Sequence, residues 1–354
     1  MKNYRGKWGT VYYISDSVIG SGGEGTVYEL IGDSTHVAKI YDEAKKFPTA
    51  TARETQRRKL EAMISMKIPC EIDGVLRIAW PQDILLDEGR FVGFVMPKVT
   101  VPYKIFQIAR DDRKRIFPNY TWKYSVQYAY NLSWIVYFLH LNNIIVGDMN
   151  MNNIAVGTQG EVVLIDCDSF DIRDPATREH FQCTVGLPEL LPPELQGIGV
   201  VATGEFTRES DDFSLGIHIF RLLMNNADPF SAKVKSVNVE SSSAINAEKA
   251  IVNGESPYFR KLRNKTTPPW APPLTFLPED IQKGFERTFR YTQTSALKKK
   301  KNRTTAGEWN QILLKYALPE PNQNLSVCIR DPKHVYPAHH MACPFCGAGS
   351  AKIS

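Results

Sequence analysis

Ile144–Val156 reads IIVGDMNMNNIAV, and Val162–Phe170 reads VVLIDCDSF. Both are apolar, strand-like runs broken by acidic and amide residues, which a buried strand does not tolerate unless those residues have a task. Asp148 and Asn153 stand five residues apart, and Asn153 and Asp166 thirteen. Two polar interruptions at fixed intervals inside apolar chain mark a candidate site, and the rest of the sequence is read outward from them.

Upstream, Ile19–Leu30 reads IGSGGEGTVYEL, with Gly20, Gly22 and Gly25 in a GxGxxG pattern followed by Val27. Glycines there let a hairpin backbone approach phosphates without Cβ clashes, and successive amides can face the oxygens. A dinucleotide-binding turn expects a helix after the glycines. Here TVYEL is β-type and HVAKIY, the next run, is another strand, so a hairpin over phosphates fits better. Lys39 lies within VAKI, flanked by apolar residues, where a lysine is costly to bury without an anion. Phosphate and a helix carboxylate, Glu61 or Glu54, are the candidates. Glu61 is preferred, because Glu54 reads as the capping partner of a helix starting near Thr51, whose Thr-x-x-Glu spacing fits a capping box. Leu60, Met63 and Ile64 form the apolar stripe of that helix.

From Val11 to Val99 the β-type runs VYYI, TVYELI, HVAKIY, VLRIAWP and RFVGFVMP recur between Gly, Asp and Pro, implying a small, mostly antiparallel sheet with one helix. Beyond Val99 the patterns lengthen into helices, Trp122 to Asn142 and Asp212 to Met224 being the clearest. Residues 231–275 are rich in Ser, Asn, Thr and Pro, and PPWAPP at Pro268–Pro273 reads as an extended connector. After Pro319 the helical period is lost. A chain of 354 residues suits two lobes with a small appendage. Its 43 basic and 38 acidic residues leave a charge of +5, too small a bias to imply nucleic acid as partner. No apolar run reaches membrane-spanning length and no signal peptide is legible, so the expectation is a cytoplasmic protein with no membrane role. Cys70, Cys167 and Cys183 are scattered as structural thiols, while three other cysteines cluster near the C-terminus.

These motifs resemble the eukaryotic-type protein kinase superfamily, whose catalytic loop is H-R-D-x-x-x-x-N and whose metal loop is D-F-G. The resemblance covers about residue 11 to residue 317 and implies an α+β, bilobal protein-kinase-like fold: an N-lobe over 1–99, a mostly helical C-lobe over 100–319, and a tail over 320–354. It also implies an enzyme that uses ATP and magnesium (or manganese), bound between the lobes, to phosphorylate a protein Ser/Thr hydroxyl. Asp148 would orient the hydroxyl or accept its proton. Asn153 and Asp166 would hold the metal, Lys39 would contact the α- and β-phosphates, and Gly20, Gly22 and Gly25 would roof them. Met96 falls beside the adenine pocket, with Pro97, Lys98 and Val99 as the hinge. LPPE at Leu191–Glu194 resembles A-P-E, Asp211 the aspartate of a buried C-lobe helix, and Arg303 the arginine that pairs with Glu194.

The departures are specific. Val146, Gly147 and Asp148 stand where H-R-D is usual, so the arginine that couples the catalytic loop to a phosphorylated activation loop is missing. Asn150 replaces the usual lysine and Leu187 the usual threonine. The metal loop is Asp166, Cys167, Asp168, in which Asp168 either adds a metal ligand or caps the turn. The VGD and D-x-D-S-F variants are similar to bacterial kinases encoded beside a PP2C-type phosphatase and a von Willebrand A-domain protein in tellurite-resistance clusters, which makes those two proteins candidate partners. A pseudokinase scaffold for such a partner is the alternative function.

In the tail, CIRDPKHVYPAHHMACPFCG holds Cys328, His334, Cys343 and Cys346. Thiolates and an imidazole suit a closed tetrahedral zinc site, and C-P-x-C-G has the form of a zinc knuckle. The expectation is a zinc-ribbon-like tail with one structural zinc, His339 or His340 being alternatives to His334.

Overall fold

A computed structural model describes residues 2–109, 113–196, 205–234, 243–319 and 321–352. The chain divides into two compact units, Met1–Val101 with Val163–Gln182, and Pro102–Val162 with Cys183–Ser354.

The first unit is built on six antiparallel strands, β1 (Lys2–Arg5), β2 (Val11–Ser21), β3 (Gly25–Leu30), β4 (Asp33–Tyr41), β5 (Asp83–Asp87) and β6 (Arg90–Pro97). Their order is β1-β2-β3-β4-β6-β5, and pairing of Arg5 with Leu86 closes them into a barrel. Closure removes the free edges that an open sheet exposes. Tyr4, Ile14, Leu30, Ala38, Leu85, Val92 and Val95 fill one core cluster.

One strand reading is corrected. In VLRIAWP only Val75 and Leu76 are extended in a ladder, paired with Glu71 and Ile72. Ile78, Ala79 and Trp80 are apolar because they are packed, not because they alternate in a sheet. Ala79 N–H donates to the Leu164 carbonyl at 2.8 Å, Leu164 N–H to that of Arg77 at 2.9 Å, and Trp80 Nε1 to that of Met63 at 2.9 Å. The two bonds with Leu164 help tie Val163–Gln182 to the first unit. The barrel takes DILLD, Asp83–Asp87, in place of VLRIAWP.

The unit's main helix, α1 (Ala50–Ser65), buries Leu60 and Met63 completely. Its N-cap is Thr49, whose hydroxyl accepts from Ala52 N–H at 3.1 Å. Thr51 lies inside the helix, and Glu54, too far along to reach a capping amide, pairs with Arg57. The expected capping box is therefore not formed, and a simple Thr49 N-cap stands two residues earlier, with Ala52 at the position that would have to reciprocate.

The second unit packs α2 (Trp122–Leu141), α3 (Arg208–Leu223), α4 (Glu279–Phe289) and α5 (Ala306–Ala317). Thr207 with Ser210, and Thr305 with Glu308, form capping boxes on α3 and α5. Phe220 on α3 meets Phe285 on α4 edge-on at 4.9 Å, and Trp309 of α5 lies 4.7 Å from Phe285. Within the Ser-, Asn-, Thr- and Pro-rich stretch 231–275, Ser243–Asn253 is helical, and 235–242 lie outside the described residues. The tail adds β7 (Leu325–Cys328), β8 (Val335–Pro337) and β9 (Ser350–Lys352), in the order β8-β7-β9. It packs on this unit: His340 Nε2 donates to the Phe276 carbonyl at 2.9 Å, and Tyr336 is fully buried. No helix among the described residues is long and apolar enough to cross a membrane.

Candidate active site

In the first unit, β2 and β3 form the glycine hairpin, with Gly20 opposite Val27 and Gly22 N–H donating to the Gly25 carbonyl at 2.9 Å. A Cβ on Gly25 would meet the Ile40 carbonyl oxygen at 2.5 Å, so the barrel itself demands that glycine. A Cβ on Gly20 or Gly22 would meet nothing within 4 Å, which leaves open space above their backbone. Val27 pairs with Lys39 across β3 and β4, and Met96 and Val99, both half-buried, lie at and just past the end of β6.

Lys39 is the centre of a charge cluster. Its Nζ donates to Asp166 and, at 2.9 and 3.2 Å, to both oxygens of Asp168. Tyr41 OH donates to Asp168 Oδ2 at 2.6 Å and accepts from Gln56 Nε2 at 3.1 Å. Burial alone would lower the Lys39 ammonium, but the carboxylates of Asp168 and Asp166 outweigh it and raise its pKa. Burial likewise pushes Asp168 up, yet Lys39 and Lys46 hold it well below the usual carboxylate range. Asp166 moves the other way, raised by burial and by the neighbouring Asp168. The side chain of Asp166 is 39% exposed and that of Asp168 only 1%. Asp166 also sits at φ 61°, a left-handed conformation that Asp tolerates better than most residues.

The expected partnership of Lys39 with Glu61 is not formed. Glu61 accepts from Arg57 at 2.8 Å and faces Lys7 at 3.5 Å. On α1, Gln56, Leu60 and Met63 share one face, and Glu61 is turned roughly 140° from Gln56 at about 100° per residue. Tyr41 and Gln56 were not singled out from sequence. Tyr41 was legible in principle, because side chains two apart on a strand share a face.

In the second unit, pairing of Ala155 with Lys104 fixes the end of the Asp148 loop. Its start is held by Asp211 on α3, which is fully buried and accepts from Val146 N–H at 2.8 Å, Gly147 N–H at 2.9 Å and His140 Nε2 at 2.9 Å. His218 donates to the Met149 carbonyl at 2.6 Å, and burial lowers its pKa to about 3, so it stays neutral. Asn153 Nδ2 reaches Asp148 Oδ2 at 3.4 Å, bringing those two predicted residues together. Asn150 caps the short turn between them, its Oδ1 accepting from Asn152 N–H at 2.9 Å. Gly147 has φ +71°, and a Cβ there would meet Cys183 Sγ at 2.6 Å. No arginine fits, because the buried Cys183 fills the space its side chain would need. Arg303 donates to both oxygens of Glu194 at 2.7 Å, the pairing expected from sequence.

The tail gathers Cys328, His334, Cys343 and Cys346, their ligand atoms all within 4.8 Å of one another. Cys328 Sγ is 3.4 Å from Cys346 Sγ, and Cys343 Sγ is 3.6 Å from His334 Nδ1. Burial raises the Cys328 thiol, but the N–H groups of Arg330 and Asp331, with Cys346 and His334, bring it down to about 6. His334 Nε2 faces Asp331 at 3.5 Å. His339 and His340 turn to the Thr275 and Phe276 carbonyls, so His334 is the imidazole of the cluster.

The protein kinase domain family matches residues 13–298 of the chain. Protein kinase YegI of Escherichia coli (strain K12) is 32% identical over 333 residues, covering 93% of this chain and 47% of that protein. Protein kinase YegI of Escherichia coli O157:H7 is 31% identical over 331 residues, covering 93% and 48%. The chain thus spans about half the length of these relatives. The family match runs through the glycine hairpin, Lys39, the Asp148 loop and the Asp166 loop alike, and the chain belongs to the protein kinase family.

Proposed function

We propose that the chain is an ATP- and magnesium-dependent protein kinase that transfers the γ-phosphate to a serine or threonine hydroxyl. The observation that carries this reading is the Lys39–Asp166 pairing: a buried, charged lysine beside a carboxylate that keeps solvent access. Asp166 and Asn153 offer a carboxylate and an amide oxygen, the hard donors magnesium takes. Asn153 commits its amide N–H to Asp148, which leaves its Oδ1 to accept or to ligate. Asp168 fits a metal poorly, because both of its oxygens are engaged and buried. Bound magnesium neutralises phosphate charge that would otherwise repel the nucleophile. Lys39 binds the α- and β-phosphates, the open backbone at Gly20 and Gly22 covers them, and Met96 to Val99 take the adenine. Asp148 orients the hydroxyl and accepts its proton.

On this reading 1–99 and 100–319 are the two lobes, the enzyme is cytoplasmic, and its substrate is a protein. The PP2C-type phosphatase and the A-domain protein remain candidate partners on resemblance alone. The test is incubation with γ-labelled ATP and magnesium, with a serine- and threonine-containing acceptor, followed by identification of the phosphorylated residue. Label on serine or threonine is expected. Tight nucleotide binding with no transfer would instead favour the scaffold reading.

For 320–354 we propose a structural zinc held by Cys328, His334, Cys343 and Cys346. In tetrahedral zinc sites the Zn–S distance is about 2.3 Å, which sets sulfurs near the separations found here. Asp331 beside His334 matches the usual outer-shell carboxylate. Four ligands close the site, which suits a structural and not a catalytic metal. Purified protein should carry about one zinc per chain. Cys343→Ser with Cys346→Ser should release it, and metal-free protein with an ordered tail would contradict the assignment.

A further inference from the structure

In a protein kinase of the kind proposed above, the lysine that contacts phosphate is ordinarily fixed by a carboxylate from the N-lobe helix. That carboxylate is absent here: Glu61 is bound to Arg57 and Lys7, and the α1 residue facing the site is Gln56. We infer that Asp168 is the positioning residue that holds Lys39 for phosphate contact, and that Tyr41 links it to Gln56 on α1. The inference rests on the kinase reading of the site.

Three observations carry it. Asp168 is the one of the two Lys39 carboxylates that solvent cannot reach, with a side chain 1% exposed against 39% for Asp166. Asp166 can therefore exchange its partner while Asp168 cannot. Both Asp168 oxygens are already occupied, Oδ1 by Lys39 and Oδ2 by Lys39 and Tyr41. A carboxylate in that state serves cations of the chain, not an added metal. The chain of bonds also has one direction. An ionised carboxylate only accepts, so the Tyr41 hydroxyl must donate to it, and its lone pair then receives the Gln56 N–H. The Tyr41 ring is fixed by Phe47, Phe91 and Phe94 at 5.2, 5.9 and 5.9 Å, so its hydroxyl has little freedom to turn elsewhere.

The consequence is a lysine anchored from the metal loop. Helix α1 is linked to it through the neutral Gln56–Tyr41 hydrogen bond, and breaking that bond breaks no ion pair at Lys39. The carboxylate usually carried on the helix stands at Asp168, where the family has the glycine of D-F-G.

The test measures MgATP dissociation constant, kcat, KM and the magnesium concentration for half-maximal rate in wild type, Asp168→Asn, Tyr41→Phe, the double variant and Glu61→Gln. Asp168→Asn should weaken MgATP binding and kcat/KM by roughly 100-fold, because it removes one partner of a buried charge pair. Its half-maximal magnesium should stay within about twofold of wild type, as expected of a residue that does not ligate metal. Tyr41→Phe should weaken binding by about 3- to 10-fold alone and by less than about twofold in the Asp168→Asn background, since the charged carboxylate through which it acts on Lys39 is then gone. The Asp168→Asn loss should exceed that of Glu61→Gln at least tenfold on the same scale. A rise in half-maximal magnesium matching the loss of rate would make Asp168 a metal ligand and overturn the inference, as would additive losses in the double variant. If Asp168→Asn does not fold, Tyr41→Phe, which keeps the ring packing, carries the test: unchanged nucleotide affinity in it would overturn the relay. Wild type that binds and transfers phosphate while Asp168→Asn matches it sinks this inference alone. Wild type that does neither sinks the kinase reading and this inference with it.

Discussion

Two regions of the molecule hold their candidate aspartates by different means. Around Lys39 position is set by charge: a lysine, two carboxylates and a tyrosine hydroxyl constrain one another, and Asp166 retains access to solvent. Around Asp148 position is set by backbone: Asp211 grips two successive amides, His218 a carbonyl, and Cys183 fills the space beside Gly147. The first arrangement is open to exchange, since a cation or phosphate can replace one member. The second is closed at its backbone, because the Val146 and Gly147 amides and the Met149 carbonyl are already bonded inside the fold. On the function proposed above, the region that binds a charged ligand is built from charges, and the one that presents a single carboxylate is built from hydrogen bonds to the chain.

The comparison can be broken most severely at Asp166. Asp166→Ala should reduce phosphotransfer by roughly 10³ or more, with little change in melting temperature, because a partly exposed carboxylate contributes to chemistry more than to stability. Retained activity would mean that the metal is held elsewhere. Asp211→Ala attacks the second region. It leaves the Val146 and Gly147 amides without their acceptor, so stability should fall by about 2–5 kcal/mol and the rate with it. An unchanged denaturation midpoint would contradict the brace.

Gly147→Ala gives a smaller effect, about 1–2 kcal/mol for a side chain at left-handed φ, plus the clash with Cys183. Cys183→Ala in the same chain should recover only the sulfur's share of the clash, since the Cys183 Cβ also lies 2.8 Å from the added one, and none of the φ penalty. Full recovery would show that strain at φ +71° is not what excludes an arginine there. The smallest effect distinguishes Asp212 from its neighbour Asp211. Burial raises the Asp212 carboxyl from 3.8 to about 7, while its Oδ1 accepts from Ala306 N–H at 2.8 Å. The folded state therefore keeps a proton that the unfolded chain releases near pH 4. Stability from this group is full below that pH and lost as pH rises through 7. Asp212→Asn should flatten the decline in melting temperature between pH 4 and 8, and an identical slope in both proteins would contradict it.

The two aspartate loops were legible because a buried strand has little structural use for polar residues at fixed intervals. The glycine hairpin was legible because TVYEL could not open a helix. What was not legible depended on tertiary facts. The partner of Lys39 lies 127 and 129 residues away, and nothing local distinguishes Asp168 from an ordinary turn residue. Glu61 had the right charge on the wrong helical face. VLRIAWP and β1 failed in opposite ways: the first is apolar through packing without a ladder, while KNYR is too short and polar to announce the strand that closes the barrel.

The central claim is that holding nucleotide belongs to the Lys39 cluster and activating the hydroxyl to Asp148. The direct measurement is MgATP affinity and phosphotransfer rate in Asp148→Asn beside Lys39→Met. The account predicts that Asp148→Asn binds MgATP within about twofold of wild type while its rate falls by roughly 10³, and that Lys39→Met loses both. Loss of nucleotide binding in Asp148→Asn to the same degree as in Lys39→Met would contradict it.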